Sequence, residues 1–95
     1  MVRREGDMLM VEGAVTLDTA PGLIAAAQEH FGQGVSAIDF SGVTEVDSAA
    51  VALALEWMRQ AERANVVLRL VHLPESMQNL AKLYGVSELL PSATA

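Results

Sequence analysis

Three consecutive segments between residues 35 and 72 constrain this chain more than anything else in it. A short run with β-branched and aromatic members, Val35 to Phe40, is followed by a stretch of helix formers, Ala49 to Ala64, and then by a second β-rich run, Val66 to His72. One helix between two single strands cannot be a hairpin; it implies a crossover connection and a sheet with a helix packed over it. Asp47-Ser48 stands directly before the helical run, where a side-chain oxygen can accept from first-turn N–H groups, and Asn65 stops the run at its other end. Between strand and helix, Ser41-Gly42 and Val43 to Asp47 read as a polar-apolar loop. Val66 to His72, apolar except for Arg69 and His72, reads as a central strand.

The flanking segments extend the same alternation. Arg3-Arg4-Glu5 and Met8 to Glu12 suit two short strands around a Gly6-Asp7 turn, so a hairpin opens the fold. Asp18 or Thr19 can cap a first helix over Thr19 to Phe31, with Pro21 in the first turn and Leu23, Ile24, Ala27 and Phe31 at helical spacing; Gly32-Gln33-Gly34 ends it. Pro74 starts a last helix with Met77, Leu80, Ala81 and Tyr84 on one face and Gly85 at the left-handed cap position. Val86 to Leu90 forms a short closing element, and residues 91–95 a frayed tail. The order predicts an α/β fold: one domain over residues 1–95, with a small mixed four-stranded sheet and about three helices packed against it. A ferredoxin-like arrangement would need two adjacent strands in the middle, whereas the one candidate hairpin lies at the start.

Composition narrows what such a domain can do. With 95 residues the chain makes one modest core, and with 4% aromatic residues that core is built from Val, Leu, Ile, Met and Ala. The absence of Cys removes disulfides, thiolate metal sites and cysteine nucleophiles, and makes the cytoplasm the expected compartment. Met1-Val2-Arg3-Arg4 has the basic start of an export signal, but the apolar stretch after it, Met8 to Val11, is too short for one. The longest apolar run, Ala49 to Leu55, is about two helical turns, against the ~20 residues of a membrane span, so no direct membrane insertion is expected. A net charge of −6 opposes attraction to nucleic acid or anionic lipid. Arg59 and Arg63 form a local basic pair that Glu56 and Glu62 balance.

Candidate chemistry is sparse, and neither a catalytic group nor a cofactor is expected. His30 and His72 have no second ligand at helical spacing, so no metal site is predicted. Gly32-x-Gly34 lacks the third Gly and the Lys of a phosphate loop and reads as a turn. Asp39, Glu45 and Asp47 could converge at the end of a strand as a cation site, although helix capping alone accounts for Asp47. Ser48 stands at a helix N-terminus, where a cap explains it and where a phosphate would also be tolerated. The main helix carries an apolar arc of roughly 200°, wider than one sheet-facing stripe needs. Leu53 and Trp57 lie on the flank of that arc, either packed on the last helix or exposed as a docking anchor.

The stretch Asp39-Phe40-Ser41-Gly42-Val43-Thr44-Glu45-Val46-Asp47-Ser48-Ala49-Ala50-Val51 resembles the central motif of STAS domains, a family of anti-sigma factor antagonists and transporter-associated regulators. In the antagonist branch the residue after the second Asp is the phosphoacceptor, which the resemblance carries to Ser48; that branch usually continues with Ser or Thr and then Gly, where this chain has Ala49 and Ala50. Leu80-Ala81-Lys82-Leu83-Tyr84-Gly85-Val86 with Leu90-Pro91 is similar to the C-terminal stretch of the STAS subunit of the bacterial Mla phospholipid transporter. The resemblance implies a non-catalytic cytoplasmic protein held at the inner face of the inner membrane by an ABC transporter ATPase subunit. Thr44, Glu45, Asp47, Ser48, Ala49, Leu53 and Trp57 would then supply the contact. The alternative it implies is an antagonist that binds a serine-kinase anti-sigma factor while Ser48 is unmodified.

Overall fold

A computed structural model describes residues 1–86, 88 and 90 of the chain. Its elements run β1 (Val2–Glu5), β2 (Met8–Val15), α1 (Ala20–Gln28), β3 (Ala37–Val46), α2 (Ser48–Arg63), β4 (Arg69–Val71) and α3 (Glu75–Leu83). The strands form one mixed sheet in the order β1-β2-β3-β4. The first pair is antiparallel, as a tight hairpin requires, and the other two are parallel, as the α1 and α2 crossovers require. The expected fold class is the one formed.

Residue alternation decides which sheet face is covered. In β2, Leu9, Val11 and Val15 are buried under the helices, while Met8, Met10 and Glu12 between them are only partly covered. Ile38 and Phe40 of β3 and Leu70 of β4 complete the covered face, and Leu23 and Ala27 of α1, Val51, Ala54 and Trp57 of α2, and Met77 and Ala81 of α3 pack onto it. The middle helix, α2, touches both α1 and α3. A helix with a sheet beneath it and a helix on either side needs the wide apolar arc that its sequence carries.

Several boundaries differ from expectation. The first helix ends at Gln28, and a 3-10 turn over Glu29–Gly32 carries Phe31 into the core. Thr19 precedes α1 without capping it; its hydroxyl accepts from the Thr16 N–H at 2.9 Å and donates to the Ala14 carbonyl at 2.9 Å, tying the β2–α1 loop together. The segment expected as a loop, Val43 to Val46, continues β3 to ten residues against the eight of β2. Two register shifts absorb the difference, each with an extra residue on β3. The strand expected at the centre of the sheet is its edge, and only Arg69–Val71 pairs.

Both later helices end as their sequences predict. Asn65 takes φ +60° after α2, and Val66 N–H then reaches the Ala61 carbonyl at 2.8 Å while Asn65 N–H reaches that of Glu62 at 3.0 Å. Gly85, at φ +71°, closes α3 in the same way through Val86 N–H to Ala81 at 2.9 Å. Leu90 is buried against the core, but Ser87 and Leu89 of the expected closing element and the whole 91–95 tail lie outside the described residues.

Candidate functional site

The chemistry singled out in the sequence collects at the C-terminal end of β3, and the two bulges in that strand shape it. Gly42 lies so close to β2 that an added Cβ would stand 3.1 Å from the Val11 carbonyl oxygen and 3.0 Å from Glu12 Cγ. Beyond Gly42, Val43 and Val46 pack toward the core, while Thr44 and Glu45 are exposed. Bulges re-aim side chains at the rim of a sheet. Here they let one strand anchor itself through two valines and present two polar residues.

Asp47 organises the junction. Its backbone is extended, its N–H donates to the Val15 carbonyl at 3.3 Å, and its Oδ1 accepts from the Ala49 N–H at 2.8 Å, the N-cap bond of α2. Its second oxygen, Oδ2, accepts from the Leu17 N–H at 3.0 Å. One carboxylate thereby caps the main helix and ties the β2–α1 loop to it. Because Asp47 does the capping, Ser48 is left exposed as the first helical residue, with Ala49 half-buried and Ala52 exposed on the following turn.

Leu53 and Trp57 are not part of this surface. They are 1% and 0% exposed, and the Trp57 ring meets Phe40 of β3 at 6.2 Å between centroids with a tilt of 55°. The expectation that they contact a partner is therefore corrected: both belong to the core, with Trp57 facing the sheet. Sequence reasoning overlooked Leu17, which is 75% exposed beside Asp47. A lone leucine in a short turn carries no local signal of exposure.

Asp39, Glu45 and Asp47, whose spacing left convergence open, do not come together. Among the described residues no three His, Cys, Asp or Glu side chains are grouped as a metal site. Asp39 is 7% exposed and stands at the other end of β3, beside Met10 and Val71 of the neighbouring strands. It accepts from the Ser41 N–H at 2.8 Å, and its Oδ1 lies 3.2 Å from Nδ1 of His72. Burial pushes its carboxyl pKa up, but the hydrogen bonds from Ser41 and the neighbouring His72 outweigh burial and hold it below the ordinary value. The pair joins residues far apart in the chain and explains His72 without a metal. The basic pair on α2 behaves as expected at Arg59, which bonds Glu56 at 3.2 Å. No helix among the described residues is long and apolar enough to cross a membrane.

Comparisons with known proteins agree with this architecture. The anti-sigma factor antagonist SpoIIAA in its unphosphorylated form superposes with a TM-score of 0.71 at 18% identity, over 99% of this chain and 87% of that one. The phosphorylated form of SpoIIAA, a Bacillus cell fate determinant, gives 0.66 at 19% identity, over 99% of this chain and 90% of that one. A candidate anti-sigma factor antagonist of Thermotoga maritima, TM1081, gives 0.76 at 11% identity, over 100% of this chain and 85% of that one. These likenesses establish the fold. A search of curated protein sequences returned no significant match. The family model described as "Mlab, STAS domain" matches residues 2–91, and with that match over nearly its whole length the chain belongs to the MlaB-type STAS domain family.

Proposed function

We propose that this chain is a single-domain, non-catalytic accessory subunit that docks on the ABC ATPase of a phospholipid transporter through its Ser48 junction. Thr44, Glu45, Asp47, Ser48 and Ala49 form the contact, and the hydrolytic site belongs wholly to the partner. The protein works in the cytoplasm, at the inner face of the inner membrane, where the ATPase holds it. The observation that carries this reading is the capping geometry. Asp47 supplies the side-chain cap of α2, so the exposed Ser48, with half-buried Ala49 and exposed Ala52 beside it on the helix, is free to meet another protein. The MlaB-type family match and the resemblance of Leu80 to Val86 to the Mla subunit support a transporter as the setting.

A second reading draws support from the same exposure. The Ser48 hydroxyl is accessible, the fold is that of SpoIIAA in both its phosphorylated and unphosphorylated forms, and a helix N-terminus tolerates phosphate. Under that reading the chain binds a serine-kinase anti-sigma factor and is released when Ser48 is modified.

Two measurements separate them. Calorimetric titration of the chain with the purified transporter ATPase subunit, and separately with a serine-kinase anti-sigma factor from the same host, identifies which one binds. Intact mass of the chain from its native cells reports phosphate. Ser48→Arg is expected to weaken ATPase binding at least tenfold while changing stability by no more than about 0.5 kcal/mol, because the residue is exposed and is not the cap. Phosphorylated protein together with kinase-only binding would replace the transporter reading by the switch. If Ser48→Arg unfolds the isolated chain, the residue is structural and the interface assignment falls.

A further inference from the structure

We propose that Leu17 is the apolar anchor of the docking surface, and that the ATPase subunit presents to it an apolar pocket bordered by Lys or Arg. This inference rests on the docking reading above and names the chemistry of the partner's face.

Leu17 is a large apolar side chain left 75% exposed on a loop that is held, not loose. Its N–H is bound by Asp47 Oδ2 at 3.0 Å, and the Thr19 hydroxyl bridges Thr16 N–H and the Ala14 carbonyl, both at 2.9 Å. Two further backbone bonds, from Thr19 and Ala20 N–H to the Thr16 carbonyl at 3.1 and 2.9 Å, close the turn. An exposed leucine on a fixed backbone loses little freedom when it enters a pocket, which is what makes an efficient anchor. Its backbone is tied to the start of α2, since the carboxylate that binds its N–H belongs to Asp47, the residue before Ser48. Ala49 and Ala52 extend the apolar surface along α2.

Charge fixes the character of the partner. Residues 16–19 and 41–55, which build this end of the molecule together with Met1, contain Asp18, Glu45 and Asp47 and no Lys or Arg, and the Met1 ammonium near Asp18 is bound to the Glu12 carbonyl at 2.9 Å. Across the longer stretch between Arg4 and Arg59 there is no cationic Lys or Arg at all, although most of the acidic residues fall within it. Asp18 and Glu45 are exposed, so the apolar patch has a negative border. That border repels an anionic membrane or nucleic acid and also a second copy meeting the same patch, and it attracts a protein surface with basic residues around an apolar hollow.

The test uses the full chain and the purified ATPase subunit, titrated calorimetrically at low and moderate salt. Leu17→Ser is expected to weaken binding about 10- to 100-fold, the equivalent of removing one buried leucine, with an unchanged melting temperature. Leu17→Met, which keeps the apolar volume, retains affinity within about threefold. The double variant Asp18→Asn/Glu45→Gln binds more weakly and loses most of the salt dependence seen for the wild type. If Leu17→Ser binds like the wild type while Ser48→Arg does not, the anchor is overturned and docking at Ser48 stands. If the wild type does not bind the ATPase, both readings fall together. If the chain alone sediments as a dimer that Leu17→Ser dissolves, the occupant is a second copy and the proposed partner is wrong.

Discussion

The two halves of β3 make opposite uses of the same conformation. From Ala37 to Phe40 every residue is buried, the register with both neighbouring strands is regular, and Ile38 and Phe40 hold the helix layer. From Ser41 to Val46 no residue is fully buried, β4 no longer accompanies the strand, and two bulges break the register with β2. Where a strand is flanked and in register, its side chains are committed to packing. Where it has lost one neighbour and carries extra residues, the backbone can deliver Thr44 and Glu45 to the surface without disturbing the core.

Substitutions along this one strand can break the contrast. The largest effect is expected for Phe40→Ala, which removes the ring that meets Trp57 and should destabilise by about 3–5 kcal/mol in urea unfolding. A loss below about 1 kcal/mol would mean that the buried half is not the structural half. Asp47→Ala removes the α2 cap and the Leu17 tether together, and is expected to reduce stability by about 1–2 kcal/mol while increasing hydrogen exchange in the β2–α1 loop.

Asp39 sharpens the comparison by pH. Its carboxyl pKa lies below the ordinary value, so its contribution is complete above the unfolded value of about 3.9 and is lost as pH falls through the lower, folded one. Asp39→Asn is therefore expected to cost about 1 kcal/mol at neutral pH and to approach the wild type at the acid end of a melting series. Parallel acid limbs for the two proteins would show that the His72 and Ser41 bonds contribute nothing. Thr44→Ala, four residues beyond Phe40 on the same strand, should change the unfolding free energy by no more than about 0.5 kcal/mol in the same urea series.

What was legible in the sequence follows the same division. The helix after Asp47 was readable because its cap, its helix formers and its Asn65 stop are all local signals, and the crossover order followed from alternation alone. The second half of β3 was not readable. Ser41-Gly42 looks like a break in the chain, and only pairing with β2, across the α1 crossover, turns it into a bulged strand. The edge position of β4 is equally a property of the sheet and not of Val66 to His72. In the site, Asp47 and Ser48 could be found from spacing. Leu17 could not, because an exposed and a buried leucine look alike in a short turn, and Trp57 was misjudged because its facing residue, Phe40, is set by the sheet. The Asp39–His72 pair joins two strands and has no counterpart in any local pattern.

The outer strands of the sheet are short, four residues in β1 and three in β4. Arg3, Arg4 and Arg69 stand on them, half of the six Lys and Arg in the chain. A foreign strand of this same sequence trying to extend the sheet at either side would find few free backbone groups and would bring guanidinium next to guanidinium. The cations missing between Arg4 and Arg59 thus stand in part on the open edges of the sheet, where short strands with charged side chains oppose edge-to-edge association.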